Sequence, residues 1–440
     1  MSLLPLTHDK LRIGLFVRLN GSWFSHPFPT NTFKIKTQKE LETLQKLRKV
    51  EILWDPEKSD PEVAEAEIPE ASPPPLEAQE VESTLQASPI VYDEIPETPE
   101  IIDVREAFML SCESYKKVDR LYQEAFRQSK AVMQDLSSGN IEGIEKAKDM
   151  IDDIGGMLEA PDAAAALLSV MNANEMGQGM FVHALNVAAL SLLVGREFDF
   201  SEAELKTLAL GALFHDMGEL NVPGKILLKR PNLSPDERDM YRQHPRFGLD
   251  MVKRYGGFSK SCLDVIYQHH ERLDGSGYPM GLKGVDAISV NARLVMVIDR
   301  YDDLCSDPDI ERRLTPSEAL SHLFVKFRGI LWSEAIVVLV RILGVYPPGS
   351  LVQLSDQSIG MVININAKNR LRPLVLLHTE KMSTDESLVI DLDQHEELSI
   401  SQNIRPRDLP RDVVEYLSPK RMINYTILDP THEMASLPAT

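Results

Sequence analysis

The sequence predicts a mainly α protein, a helical bundle with a small β-containing module before it and a small β appendage after it. Three observations carry that expectation. From about residue 101 to about residue 345, apolar residues recur almost continuously at helical spacing. After Tyr346-Pro347-Pro348-Gly349 the pattern changes to short strand-like runs. Between these limits, His183, His215-Asp216, His244, His269-His270 and Asp299 follow one another at steps of about 25 to 32 residues. One helix and its loop occupy about that length, so each donor comes from a separate helix facing one bundle core.

Taken in order, residues 1–56 read as a small α+β module. Leu11 to Val17 alternates as a strand, Trp23 and Phe28 add aromatic bulk, Gln38 to Arg48 has helical composition, and Ile52-Leu53-Trp54 forms a closing strand. Residues 57–100 are rich in Pro, Glu, Ala and Ser. Too little apolar surface is available there to offset ordering entropy, and a disordered, self-repelling tether is expected. Residues 101–158 form a helical connector, one helix from Val104 to Leu136 and a second ending near Leu158, with Ser137-Ser138-Gly139-Asn140 as the break. Two roles are open to it: packing on the bundle, or joining two protomers in a homodimer. Residues 159–345 make the bundle itself. Leu185 to Val194 is apolar on most faces, as in a buried helix, and Gly256-Gly257 and Pro308 separate later elements. In residues 346–440, Leu351 to Leu354, Gly360 to Ile365 and Leu374 to Leu377 read as strands, with a turn at Ala367 to Arg370.

Composition narrows the function classes. No apolar run reaches the roughly 18 to 20 residues of a spanning helix, since Ala335 to Val345 is broken by Arg341. The N-terminus shows no secretory signal, and Cys112, Cys262 and Cys305 give no disulfide framework, so a cytoplasmic protein is expected. The net charge of -20 is mostly local. Residues 51–100 hold fifteen acidic residues against one Lys, a net of -14. No basic face for polymeric nucleic acid stands out.

The donor set points to metal. Singly, His183 reads as a hydrogen-bonded core histidine and Asp299 as a cap or ion-pair partner. Jointly, imidazoles and carboxylates at apolar positions are costly to bury without a shared cation. Nitrogen and oxygen donors without thiolates suit Fe, Mn or Zn. With one Asp bridging, the seven side chains His183, His215, Asp216, His244, His269, His270 and Asp299 suffice for two ions.

His215-Asp216-Met217-Gly218, Pro223, Ile226-Leu227-Leu228-Lys229, His244-Pro245, and His269-His270-Glu271-Arg272-Leu273-Asp274-Gly275-Ser276-Gly277-Tyr278-Pro279 together resemble the HD-GYP family of cyclic di-GMP phosphodiesterases. Residues 1–56 resemble a domain of unknown function often found ahead of such modules. The resemblance implies an HD-type bundle in which His183, His215, Asp216 and Asp299 hold one ion and Asp216, His244, His269 and His270 the other, with Asp216 bridging. His215 and Asp216 are then central to catalysis, and Fe or Mn is preferred. It further implies hydrolysis of cyclic di-GMP to linear pGpG and onward to GMP. Arg272, Arg293 and Lys229 become candidate substrate contacts. Asp274, Gly277, Tyr278 and Pro279 become a structural loop that also meets diguanylate cyclase domains. Blandly, that loop is a turn in which the glycines supply positive φ and the Pro fixes one φ.

Three departures from the family bear on activity. Glu219 stands where Lys is usual, a reversal expected to repel a bound phosphate; its replacement by Lys is then expected to raise turnover if the native chain is nearly inactive. Pro308-Asp309-Ile310-Glu311 replaces an Arg-Pro-Tyr-Arg segment, and Gly179 replaces the Glu of three-metal members, which favours two ions. The alternative is therefore a weak or inactive member that serves as a cyclic di-GMP receptor or interaction module.

Overall fold

The computed structural model describes residues 104–420 apart from 161, 173–178, 231, 308, 310, 367–368 and 379–385, parts of 4–59, and the pair 426–427. The chain divides into two units, Met1–Glu100 and Ile101–Thr440.

In the first unit, strands β1 (Leu4–Leu6), β2 (Phe16–Asn20), β3 (Thr32–Lys34) and β4 (Glu51–Trp54) form an antiparallel sheet in the order β1-β4-β2-β3. Val17 lies opposite Trp54, and Leu11, Leu15, Val17, Ile35, Leu44 and Ile52 form the core. The strand expected from Leu11 to Val17 is corrected: Ile13-Gly14 is a turn, with Gly14 at φ +100°, and the strand starts at Phe16. Leu11 and Leu15 are core residues of a loop, which is why their apolar spacing imitates a strand. Apart from Ser59, the expected acidic tether lies outside the described residues.

The second unit begins with a helical hairpin, α1 (Val104–Ser137) and α2 (Glu142–Met157), joined through Gly139 at φ +86°. At 1.5 Å per residue, α1 is about 50 Å long. The bundle follows: α3 (Ala163–Asn172), α4 (Met180–Arg196), α5 (Glu202–Phe214), α6 (Gly224–Leu227), α7 (Pro235–Tyr241), α8 (His244–Tyr255), α9 (Lys260–Gln268), α10 (Val290–Cys305), α11 (Pro316–Lys326) and α12 (Ser333–Leu343). Local signals explain where several start. Ser201/Glu204, Ser234/Glu237 and Thr315/Glu318 are reciprocal capping boxes at α5, α7 and α11. Helix α4 is buried continuously from Ala184 to Gly195 and lies in the middle of the main core, which also takes residues of α1, α2, α5, α9 and α10.

Strands β5 (Leu351–Leu354), β6 (Ile359–Asn364), β7 (Leu374–His378), β8 (Glu386–Asp391), β9 (Ile400–Ile404) and β10 (Thr426–Ile427) form a six-stranded sheet in the order β10-β8-β7-β6-β5-β9. Side chains alternate between two apolar clusters. Leu351, Met361, Leu376 and Val389 pack with Phe108 and Cys112 of α1 and with Val413 and Tyr416 of helix α13 (Arg411–Tyr416). Val352, Val362, Val375 and Ile390 form the cluster on the opposite face. Strands β8 and β9 extend the appendage beyond the three runs that alternation marked.

Candidate metal centre

The centre is assembled where helices end. His215 is the C-cap of α5, and Asp216 begins the 3-10 turn Met217–Asn221. That turn lies directly on α8, because a Cβ on Gly218 would stand 1.9 Å from the His244 carbonyl oxygen. His244 starts α8, and His269 caps α9 with His270 next to it. His183 comes from the first turns of α4 and Asp299 from the middle of α10. All seven expected donors are thus brought to one place.

Asp216 lies between two sets of imidazoles. Its Oδ2 is 3.3 Å from His215 Nε2 and 3.8 Å from His183 Nε2, while its Oδ1 is 3.2 Å from His244 Nε2 and 3.4 Å from His269 Nε2. Asp299 lies beside the first set, with Oδ1 3.2 Å from His183 Nε2 and 3.7 Å from His215 Nε2, and its Oδ2 is 3.8 Å from His270 Nδ1. Candidate ligand atoms of Asp216, His244, His269 and His270 lie within 4.8 Å of one another, as do those of His183, His215 and Asp216 and those of His183, Asp299 and Asp303. Asp303 is a donor that the spacing pattern does not mark, lying one helical turn after Asp299.

These residues pass a test of fit to a cation. The Nδ1 of His215, His244 and His269 each face a backbone carbonyl, Ala212 at 2.6 Å, Tyr241 at 2.9 Å and Ile266 at 3.0 Å. Donation to those carbonyls places the protons on Nδ1 and leaves Nε2 as a lone pair. Yet His244 and His269 set their Nε2 atoms 3.2 Å apart, and His215 and His183 do the same. Facing lone pairs repel unless a cation or a shared proton lies among them. Asp216 Oδ1 and His270 Nε2 are also buried without a hydrogen-bond partner.

Without a cation, a proton on His215 Nε2 would take the place of the metal's charge. Burial opposes a charge on His215, but Asp216 and Asp299 outweigh it and hold the imidazole up at about 9. Burial likewise opposes ionisation of Asp216, yet His215, His244 and His269 keep its carboxyl well below the usual range. On the other side, burial and the neighbouring imidazoles push His270 well below the ordinary value. Thiolate chemistry has no place here, since burial raises Cys112 and Cys262 to about 12.

A relay behind His183 escaped the sequence reading. Its Nδ1 is 2.7 Å from Asp302 Oδ2, Asn186 Nδ2 donates to Asp302 Oδ1 at 2.9 Å, and Tyr122 of α1 donates to Asn186 Oδ1. Glu271, fully buried, accepts from Met280 N at 2.7 Å and Leu282 N at 2.8 Å, closing the loop after His270. Gly275 has the positive φ expected, +84°. Gly277 is needed for another reason: a Cβ there would meet Arg272 N at 2.4 Å. Pro279 follows a cis peptide bond, Asp274 accepts from Ser276 N and Oγ at the exposed tip, and Tyr278 lies on His270 with centroids 4.7 Å apart.

Three charged side chains that the sequence singles out have partners within the fold. Glu219 is buried, accepts from both terminal nitrogens of Arg230 at 2.7 and 3.1 Å, and accepts from the Tyr241 hydroxyl at 2.8 Å. Arg293 lies over Trp332, 4.7 Å from the ring centroid, and Lys229 pairs with Glu237 at 2.5 Å. Arg272 is half-buried near Asp299, Tyr278 and Asp303, with Nη1 donating to the Glu271 carbonyl. Of the segment 308–311, Pro308 and Ile310 lie outside the described residues. Gly179 is the extended N-cap of α4 and offers no donor.

Comparison with known proteins gives this geometry a family. The HD domain model matches residues 164–325, which hold every donor named above. Residues 164–325 are therefore an HD domain. Ahead of the HD domain, residues 5–147 match a domain of unknown function, DUF3391, and behind it residues 351–411 match the KOW domain associated with HD domain. A cyclic di-GMP phosphodiesterase of Pseudomonas aeruginosa is 28% identical over 84% of this chain and 84% of its own length. A cyclic di-GMP phosphodiesterase response regulator of Xanthomonas campestris pv. campestris is 36% identical over 33% of this chain and 38% of its own. A 3'3'-cGAMP-specific phosphodiesterase of Vibrio cholerae is 35% identical, with 42% of each chain covered. The last two are matched over less than half their length. Among the described residues of the HD-domain protein, no helix is long and apolar enough to cross a membrane.

Proposed function

We propose that this HD-domain protein is a metal-dependent phosphodiesterase that hydrolyses cyclic di-GMP to linear pGpG. The observation that carries the reading is the Asp216 carboxylate, one oxygen toward His215 and His183 and the other toward His244 and His269. A carboxylate so placed would be shared by the two groups of donors that would hold divalent cations. When bound, divalent ions supply an activated water and a positive charge for a phosphodiester oxygen. The protein's part is to hold the donors rigidly: three backbone carbonyls fix imidazole tautomers, and Asp302 aims His183. Fe or Mn suits the thiolate-free set. The seven donors would hold two ions, and Asp303 stands beside them with His183 and Asp299. A diguanylate cyclase domain would meet the loop at Asp274 and Ser276, which are exposed.

The test is turnover of cyclic di-GMP and 3'3'-cGAMP, with metal content, on protein purified without oxygen and resupplied with Fe(II) or Mn(II). Cleavage of cyclic di-GMP to pGpG, faster than 3'3'-cGAMP, is expected. Preference for the mixed dinucleotide would overturn the substrate, and full metal content without turnover would leave a receptor. Asp216→Ala is expected to lose both ions and all activity; retention of full metal content would sink the bridging assignment.

A further inference from the structure

Two tyrosines flank the metal centre, and each carries an arginine. Tyr241 lies against His244, with centroids 4.8 Å apart, and Arg230 Cζ sits 4.7 Å from the Tyr241 centroid. Tyr278 lies against His270 at 4.7 Å, and Arg242 Cζ sits 5.4 Å from the Tyr278 centroid. The two arginines differ in what else engages them. Arg230 has both terminal nitrogens on Glu219, with Nη1 also on the Tyr241 hydroxyl. Arg242 is exposed, and among the described residues no carboxylate pairs with it.

Other cations near the centre have contacts of their own. Arg272 is half-buried with Nη1 on the Glu271 carbonyl, Arg300 is 3.7 Å from Asp303 and lies over Phe327, Arg293 is on Trp332, and Lys229 is on Glu237. Among the described residues, Arg242 thus joins an exposed guanidinium that no carboxylate pairs with to an aromatic ring of the centre that limits where it can go. A flat fork of donors held over a ring suits a phosphate, which accepts two parallel hydrogen bonds.

A cyclic dinucleotide has two phosphodiesters, and when one lies on the ions the other is carried out beside them. We propose that Arg242, placed by Tyr278, binds that second, unreacting phosphate and so selects substrates with two phosphodiesters in one ring. This rests on the phosphodiesterase reading above.

The experiment compares the native chain with Arg242→Ala and Arg242→Lys, loaded with Mn(II). It uses cyclic di-GMP, read both as turnover and as equilibrium binding, and bis(p-nitrophenyl) phosphate, which has a single phosphodiester. Arg242→Ala is expected to raise KM or Kd for cyclic di-GMP about tenfold, equivalent to about 1.4 kcal/mol, and to lower kcat/KM on the small diester far less. Arg242→Lys is expected to recover part of the loss. Equal losses on both substrates, or none on either, overturn the role of Arg242 and leave the phosphodiesterase reading standing. A native chain that cleaves the small diester but neither binds nor cleaves cyclic di-GMP overturns that reading, and the role of Arg242 with it.

Discussion

Glu219 shows how a charge reversal can be absorbed by its neighbours. The carboxylate is three residues from Asp216, yet Arg230 and Tyr241 satisfy it, and Tyr241 in turn offers its carbonyl to His244. Burial opposes a charge on Arg230, but Tyr241, Glu219 and Asp216 hold its pKa above the ordinary value. Glu219→Lys is therefore expected to lower turnover, the opposite of a restored phosphate contact. It should also destabilise the fold by about 1–3 kcal/mol, since a buried charged partner is lost. The second change Arg230→Glu should restore part of both. Denaturant unfolding and turnover of the single and double variants check this, and a gain of activity in Glu219→Lys alone would overturn it. The seven donors were legible because their residue types are rare at apolar positions and recur at one helix per step. Asp303, Asp302 and Glu271 were not, because a carboxylate near a motif looks the same whether it ligates, orients a ligand or staples a loop. Only the fold separates those roles.

At the scale of elements, α1 is the part whose importance periodicity did not convey. Its spacing announced a long amphipathic helix and left its partners open. The fold supplies them: Phe108 and Cys112 enter the core of the C-terminal sheet, Tyr122 reaches Asn186, and the Leu136 carbonyl accepts from Tyr255. The relay from Tyr122 to His183 makes a definite prediction. Asp302→Ala should weaken metal binding about 10- to 100-fold, as loss of a group that orients a ligand does. Tyr122→Phe should act in the same direction but less, with about 1 kcal/mol lost in stability. Metal titration of both variants checks the order, and unchanged affinity in Asp302→Ala would show that His183 is held without it. Sequence spacing could not reveal the relay, whose residues 122, 186 and 302 are joined only by folding.

For the whole molecule, the bundle and the C-terminal sheet belong to one unit. Phe108 is fully buried between α1 and that sheet, and Phe108→Ala should cost about 3–5 kcal/mol. Thermal unfolding that shifts by much less would argue that the sheet is loosely attached. Chelation is a second test at this scale. Buried imidazoles and carboxylates that lack a cation are strained, so metal-free protein should unfold at a lower temperature. Added Mn(II) should raise the midpoint with concentration, as for any ligand that binds the native state alone. The helical bundle and the β appendage could be anticipated because their hydrophobic periods differ. The sheet's attachment could not, because an apolar face does not say which helix will cover it.

The break between the two units, at Glu100 and Ile101, falls inside the matched region 5–147. The second half of that region is α1 and part of α2, which the catalytic unit uses as its own packing surface. This sets rules for gene shuffling. A crossover in the acidic stretch before residue 101 exchanges the leading module and hands the recipient a complete catalytic unit. A crossover at residue 147 instead removes Tyr122 and Phe108 together, so lineages that trade their front ends are expected to do so upstream of α1.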